Sequence, residues 1–298
     1  MSEFVSRFAD FVTLEHAFAL DATLAGMLVG AVCGTIGVFL VLRGESLVGD
    51  AAGHATLPGV CAAFLITGSK SLPVLLSGAL VSALVSIAAL SAIGLARRTR
   101  EDAAIGTVLS VSFGVGVVLL SVVQREPSGA QAGLNSFLFG SAAAVSRSQL
   151  AQLAVLGGAA VATVIALRRP LAIATFDPVF ARSIGLPTRV LHGLVLVALC
   201  IAVVVSIQAV GVVLVSAMVI IPPTTARFLQ RSLGGVLVAS ACLGALTGWI
   251  GAAASYIFDG LPTGPTMVLV AGILLGLALF AGRHGGWIWE VMSKRGTT

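Results

Sequence analysis

The chain has 298 residues, of which 58% are hydrophobic and only 10% are charged, whereas about a quarter of the residues of an ordinary soluble domain are charged. This composition excludes a soluble globular protein and indicates one polytopic, all-α domain over residues 1–298 that spans a lipid bilayer. The net charge of +5 is explained by basic residues in the connections between spans, so it gives no reason to expect a nucleic acid as partner.

The N-terminal segment is predicted to lie in the membrane interface. Its phenylalanines recur at spacings of four, three and seven residues, at Phe4, Phe8, Phe11 and Phe18. This pattern is typical of an amphipathic helix with one apolar face. We therefore expect an interfacial helix over residues 1–18.

The first full span is predicted at about residues 20–42. It carries three glycines at four-residue spacing, Gly26, Gly30 and Gly34. Residues at this spacing share one helix face, and a face of small residues lets a second helix approach closely. We therefore expect this face to pack tightly against another span.

A carboxylate and an imidazole interrupt the next apolar stretch, in the sequence SLVGDAAGHATLPG (residues 46–59). Asp50 and His54 are four residues apart, so on a helix they project from the same face, one turn apart. Pro58 follows four residues later and has no N–H to bond the carbonyl of His54, which leaves that backbone oxygen free. Ser46 is the expected N-cap, which would place Asp50 near the positive end of the helix dipole.

Two interpretations of this stripe remain open on the residues alone. An anionic oxygen beside a neutral nitrogen is a ligand set suited to Mn²⁺, Fe²⁺ or Zn²⁺. A buried Asp–His pair that only braces two helices fits the same spacing, although ionisable residues inside a membrane are usually functional. Asp50 and His54 are therefore candidate metal ligands.

The middle of the chain is predicted to contain three further spans, at about residues 72–95, 103–123 and 150–167. Arginines between the first two of these spans indicate a cytoplasmic turn. The apolar stretch 137–145 is too short to cross a bilayer, so we expect it to be re-entrant or to lie at the surface.

The clearest local signal is the sequence FDPVFARSIGLP, residues 176–187. Asp177 can cap a helix and Pro178 suits its first position. Gly185 suits the C-terminal turn, and Pro187 prevents continuation. These residues predict a two-turn helix that is stopped at both ends.

This short helix is expected on the cytoplasmic side, because Arg182 lies within it and another arginine follows it. There it could dock on a partner protein through side chains such as Phe180 and Arg182. An ordinary loop helix is the alternative that the residues alone leave open.

The last four spans are predicted at about residues 190–208, 211–229, 235–257 and 266–281. Pro222 and Pro223 lie about halfway along the second of these. A proline pair at that depth frees backbone carbonyls, which is tolerated in a membrane only against protein or a wet cavity. We therefore expect a break in this helix beside a pathway, with Thr224 and Thr225 satisfying the freed carbonyls. The distribution of Lys and Arg then gives about nine crossings with the C-terminal tail inside.

Several enzyme classes have no signature in this chain. It contains no G-x-x-x-x-G-K-[ST] loop for ATP hydrolysis, and no H-E-x-x-H, G-x-S-x-G or paired-carboxylate signature within a span. Transport is the better class. A gradient-driven secondary transporter could also use a broken helix with an intramembrane Asp/His pair, but it would not need the short cytoplasmic helix.

Three stretches, in this order, carry a resemblance to a known family: SLVGDAAGHATLPG, FDPVFARSIGLP and GVVLVSAMVIIPPTTARFL (residues 211–229). They resemble the most recognisable stretches of the manganese/zinc/iron permease family of bacterial ABC importers, and the hydrophobic pattern is similar over essentially the whole chain. The resemblance implies a type II ABC permease fold, similar to that of vitamin B12 importers, in the bacterial plasma (inner) membrane.

The resemblance also implies a function and a set of partners. It implies a permease, not itself an enzyme and without a permanently bound cofactor, that takes up Mn, Zn or Fe. The implied partners are a second permease copy or paralogue, an ABC ATPase dimer and an extracytoplasmic metal-binding protein. By the resemblance, Asp50 and His54 are the metal ligands, and residues 176–187 are the coupling helix that receives the movement of the ATPase. Many relatives have Ser where this chain has Gly53, which leaves the metal preference open.

Overall fold

A computed structural model describes residues 17–69, 71–95, 100–125, 145–258 and 261–281. Within these ranges the protein is built from helices alone, as predicted. They are α1 (Ala17–Arg43), α2 (Leu47–Thr67), α3 (Leu72–Leu95), α4 (Glu101–Val123), α5 (Arg147–Ala166), α6 (Arg168–Phe176), α7 (Pro178–Ser183), α8 (Thr188–Val210), α9 (Val212–Leu229), α10 (Leu233–Ile257) and α11 (Thr263–Ala281).

The nine long helices of these ranges follow the order of the nine predicted spans. Seven of them are long and apolar enough to cross a membrane. The other two are α2, whose hydropathy is lowered by Asp50 and His54, and α9, whose apolar part is shorter, Leu214–Leu229. Whether α2 and α9 cross completely stays a prediction.

Two expected features lie outside the described residues. The interfacial helix over residues 1–18 is one, although residues 17 and 18 already belong to α1. The apolar stretch 137–145 is the other, apart from its last residue, Val145, which precedes α5. Both stay predictions.

Helices α1 and α8 form the centre of the bundle. Most residues of these two helices are buried inside the protein, whereas fewer than a third are buried in α3, α4, α5 and α11. The large side chains of Phe39 and Ile36 in α1 and Leu199 in α8 are fully buried. The outer helices expose valine and leucine side chains instead, such as Val155 and Leu269, as expected for helices that face lipid.

The predicted glycine face of α1 forms the most extensive helix contact, with α10. Gly26 faces Gly248, Gly30 faces Gly244 and Gly34 faces Ser240. A methyl group added at Gly30 would clash with the carbonyl oxygen of Gly244, so the two backbones touch. The Ser240 hydroxyl also donates a 2.7 Å hydrogen bond to the carbonyl oxygen of Gly34. The expected tight packing of this face is confirmed.

A single residue, Gly211, joins α8 to α9. Its φ of +90° is readily adopted by glycine and rarely by other residues. The Gly211 N–H donates a 2.7 Å hydrogen bond to the Ile207 carbonyl, and the Gly211 carbonyl accepts one of 3.2 Å from the Val215 N–H. The last turn of α8 and the first turn of α9 therefore share this residue.

Polar contacts show which helix ends lie together. Arg147 Nε lies 3.3 Å from Asp21 Oδ2, which brings the start of α5 to the start of α1. Glu45, just after α1, lies near His192 in the second turn of α8. The end of α1 and the start of α8 therefore share the opposite end of the bundle, as the predicted alternation of spans requires.

Replacing Gly30 with Ala should destabilise the bundle, because the new methyl group would overlap the Gly244 carbonyl. Overpacking of this kind costs about 1–3 kcal/mol. Gly272→Ala is the matched control, since nothing lies within 4 Å of an added methyl group there, and Ala is favoured over Gly in a helix by about 0.5–1 kcal/mol. Thermal unfolding in one detergent would measure both variants. Equal melting temperatures would contradict the tight crossing.

Candidate functional site

Helix α2 presents a single polar stripe. Between Val48 and Cys61, every residue is buried except Asp50, His54 and Pro58. These three residues are four apart, so they form one continuous line along the helix. We call this line the polar stripe. The predicted shared face of carboxylate, imidazole and proline is what the structure shows.

The other faces of α2 are held by close contacts with neighbouring helices. A methyl group added at Gly59 would clash with the Gly78 carbonyl of α3, and one added at Gly53 would lie 3.2 Å from the Val212 carbonyl oxygen of α9. Leu57 packs against Gly116 of α4. Because α2 is fixed by α3, α4 and α9, the polar stripe is the face left uncovered within the chain.

Asp50 and His54 have side chains in direct contact. Asp50 Oδ1 lies 3.5 Å from His54 Nε2, and the two side chains are 35% and 19% exposed. Two ligands bound at about 2.1 Å to a tetrahedral metal ion lie about 3.4 Å apart. The observed separation therefore suits two ligands of one ion without rearrangement of the helix.

The imidazole of His54 is also positioned by an aromatic neighbour. The ring of Phe113 in α4 lies edge-on to it, with centroids 5.0 Å apart and planes at 78°. An edge-to-face contact of this kind restricts the ring orientation.

The expected cap of α2 is wrong. Ser46 has helical angles, φ −58° and ψ −33°, and its side chain makes no capping hydrogen bond. The helix instead begins with tight turns, in which the Val48 N–H bonds the Glu45 carbonyl and the Gly49 N–H bonds the Ser46 carbonyl. Asp50 still lies in the first turn, so its place near the positive helix end is unchanged.

One chain does not provide a complete metal cage in the described part of the sequence. No group of three or more His, Cys, Asp or Glu side chains able to hold a metal ion occurs among those residues. One chain thus offers two candidate ligands, Asp50 and His54.

The expected break at Pro222 and Pro223 is also wrong. Helix α9 runs continuously from Val212 to Leu229 with both prolines inside it. The hydroxyls of Thr224 and Thr225 donate to the carbonyls of Ile220 and Ile221, which are not the carbonyls that the prolines leave free.

The proline pair of α9 packs against α1. Both prolines are buried, and the residues whose carbonyls they cannot bond are Met218 and Val219. A methyl group added at Gly37 would clash with the Val219 carbonyl oxygen, so that oxygen lies against the backbone of α1. Close helix packing is compatible with the prolines without a break, because α1 covers the Val219 carbonyl that Pro223 frees.

The local geometry predicted for residues 176–187 is confirmed, although the helix itself is shorter, Pro178–Ser183. Asp177 Oδ1 accepts a 2.8 Å hydrogen bond from the Phe180 N–H, and Pro178 is the first helical residue. Gly185 has a φ of +81°. The Gly185 N–H bonds the Arg182 carbonyl and the Leu186 N–H bonds the Ala181 carbonyl, which is the Schellman pattern that ends helices.

Helix α7 and the residues on either side of it expose a patch of apolar side chains at the end of the bundle that also holds the start of α8. Ala181 is fully buried and anchors the helix. The exposed residues, which we call the apolar patch, are Phe176, Val179, Phe180 and Ile184. Arg182 lies beside them and donates from Nε to the Pro178 carbonyl at 3.0 Å.

Sequence reasoning missed two features of this end. The first is α6, which leads directly into α7 and buries Leu171 and Ala174. Their three-residue spacing was the available signal. The second is the approach of Glu45 to His192, which has no local signal because the two residues are distant in sequence.

Comparisons with known proteins agree with this description. The model of the ABC 3 transport family matches residues 15–282. The manganese transport system membrane protein MntC of Bacillus subtilis is 42% identical over 264 residues, which cover 89% of this chain but 61% of that protein. The zinc transport system membrane protein TroC of Treponema pallidum is 34% identical over 296 residues, covering 99% and 97% of the two chains.

A solved structure shares the fold. A chain of PsaBC from Streptococcus pneumoniae, solved in complex with Fab, superposes with a TM-score of 0.83 at 28% identity, covering 95% of this chain and 98% of that one.

An all-helical bundle with seven helices that are long and apolar enough to cross a membrane is that of a multi-pass membrane protein, and its relatives are permeases of ABC transport systems. The chain belongs to the ABC 3 transport family. The resemblance and the permease fold expected from the three sequence stretches are confirmed, and the relatives place the chain in the bacterial plasma membrane.

Proposed function

We propose that this chain is the permease subunit of an ABC importer that takes up a divalent transition-metal ion, driven by ATP hydrolysis on separate ATPase subunits. The observation that carries the proposal is the polar stripe of α2, in which Asp50 and His54 lie 3.5 Å apart. Membership of an ABC transport family favours this function over a gradient-driven transporter.

The polar stripe needs a partner surface other than lipid. Ionisable side chains at membrane depth are costly and usually face protein or a water-filled cavity. Within one chain, Asp50 and His54 belong to the only partly exposed line of an otherwise buried segment of α2, Val48 to Cys61. We infer that a second permease copy or a paralogue covers this line.

A two-fold arrangement would also complete the ligand set. Each chain provides one carboxylate and one imidazole, so two chains related by a two-fold axis provide two of each. Four ligands of this kind match the usual number for zinc. A site shared between chains also suits transport, because a pathway ligand must hold an ion and then release it.

The transported ion is proposed to be Mn, Zn or Fe. Carboxylate and imidazole ligands suit all three metals, and the relatives MntC and TroC are named for manganese and zinc transport. A serine at position 53 would place its side chain against the Val212 carbonyl. The glycine of this chain therefore leaves no side chain between α2 and α9 at the residue next to His54.

The apolar patch of α7 is the proposed docking surface for an ATPase subunit. The chain has no P-loop of its own, so ATP hydrolysis must come from a partner. Phe180 and Val179 are 52% and 69% exposed on a helix that is held by caps at both ends. Rigid aromatic and apolar anchors of this kind are typical centres of protein interfaces. An extracytoplasmic metal-binding protein completes the proposed importer.

The function is tested by reconstitution. Proteoliposomes containing the permease together with its ATPase should accumulate radioactive manganese or zinc only when ATP is supplied on the ATPase side. The permease alone, driven by a proton or sodium gradient, should accumulate neither metal. Sustained accumulation of metal without an ATPase would contradict the proposal of an ABC importer.

The metal site is tested by Asp50→Ala and His54→Ala. Loss of an outer-shell partner of a ligand typically costs 10–100-fold in metal affinity or activity, so loss of a ligand should lower ATP-driven uptake by more than about 100-fold. Asp102→Ala is the control, since Asp102 is an exposed carboxylate of α4 outside the stripe. Wild-type uptake by His54→Ala, at equal expression and assembly, would make the pair structural.

The docking helix is tested by Phe180→Ala and Val179→Ala. Removal of an interface anchor costs more than about 1.4 kcal/mol, which is a tenfold loss of ATPase binding to the purified permease. Substitutions of exposed residues change folding stability by only about 0.5 kcal/mol, so the melting temperature of both variants should equal that of the wild type. Val190→Ala, an exposed valine in the first turn of α8, is the control. Undiminished ATPase binding by both patch variants would show that α7 is an ordinary connection.

A further inference from the structure

The cluster of Arg43, Glu45 and His192 joins two parts of the molecule at the α7 end of the bundle. Glu45 Oε1 accepts a 3.0 Å hydrogen bond from Arg43 Nε, and Glu45 Oε2 lies 3.7 Å from His192 Nδ1. The Glu45 side chain is 12% exposed. A nearly buried carboxylate thus connects the α1–α2 turn to α8.

Glu45 is directly linked to the helix that carries the candidate ligands. It lies two residues before α2 and five before Asp50. Its carbonyl accepts the Val48 N–H at 3.1 Å, which starts the first turn of α2. A displacement of Glu45 therefore moves the turn from which Asp50 projects.

His192 is linked in the same way to the candidate docking helix. The residues between α7 and α8 are hydrogen-bonded to both helices. The Leu186 N–H donates to the Ala181 carbonyl at 2.9 Å, and the Leu191 N–H donates to the Pro187 carbonyl at 3.0 Å. No long flexible connection separates them, so a displacement of α7 is passed to the second turn of α8, where His192 lies.

The distance between the Glu45 and His192 side chains is slightly longer than that of a hydrogen bond. At 3.7 Å the contact is longer than a hydrogen bond, and a displacement of about 0.7 Å would shorten it to one. A cavity of about 370 Å³ beside the pair gives room for such a movement; it is lined by Arg43, Glu45, Ser91, Ala104, Arg189 and His192 among others. Helix α2 otherwise packs more extensively on α3 and α4 than on α8.

We propose that Glu45 and His192 are positioning residues that transmit movement of α7 to the metal ligands on α2. The contact between them is made or broken as α8 shifts, and the hydrogen bond from Arg43 orients the Glu45 carboxylate. The pair is separate from the candidate metal site, since the polar stripe does not line the cavity beside Glu45 and His192. The proposal rests on the ATP-driven transport proposed above.

The test compares metal transported per ATP hydrolysed in the reconstituted complex. Glu45→Gln and His192→Gln should each lower this ratio about tenfold, the effect of losing a hydrogen bond to a charged group of about 1.5 kcal/mol. Metal affinity of the complex without nucleotide, measured with Mn²⁺ or Zn²⁺, and the melting temperature should stay at wild-type values. The double variant should be no worse than Glu45→Gln alone, because that change already removes the charged contact between Glu45 and His192.

Asp21→Asn is the matched control. It removes another nearly buried carboxylate from an ion pair between helices, the 3.3 Å contact with Arg147 at the opposite end of the bundle. Its ratio should equal that of the wild type. Each of three results would overturn the proposal. They are unchanged ratios of metal to ATP in both Gln variants, additive losses of this ratio in the double variant, and a loss of metal affinity that follows a fall in melting temperature. A wild-type complex that hydrolyses ATP without moving metal would instead contradict the proposed function itself.

Discussion

The arrangement of the bundle depends on the cost of placing a carboxylate and an imidazole inside an apolar environment. Asp50 and His54 can lie at membrane depth only if α2 presents them to something other than lipid. Every other face of α2 between Val48 and Cys61 is buried, so the helix has one rotational setting that leaves these two groups accessible. The surrounding helices determine that setting.

Contacts between backbones fix α2 and its neighbours. Gly59 meets Gly78, Gly53 meets the Val212 carbonyl, and Gly30 meets Gly244. Lipid tails are as apolar as leucine, so helices in a membrane gain little from burying large side chains and rely on close packing. Glycine pairs supply that packing without long side chains whose rotamers would need to be ordered. The polar stripe is therefore held by residues that carry no chemistry of their own.

Local signals made the capped helix and the stripe predictable, and tertiary contacts explain the failures. Asp177 and Gly185 act on bonds within their own turns, and the spacing of Asp50 and His54 fixes their common face. Ser46 lacks its expected bond because the turn before α2 is already helical. Pro223 leaves α9 unbroken because α1 covers the Val219 carbonyl that this proline frees. The approach of Glu45 to His192 joins segments whose distance in space no local pattern encodes.

The one-residue connection at Gly211 determines how a movement of α8 is passed to α9. A connection of one residue is too short to absorb a rotation of α8 about its axis. Such a rotation must therefore displace the first turn of α9. That turn begins with Val212, whose carbonyl lies against Gly53, the residue next to His54. The short α8–α9 connection thus passes a rotation of α8 towards the imidazole of His54. A longer connection would leave both helices intact but would let each of them rotate independently.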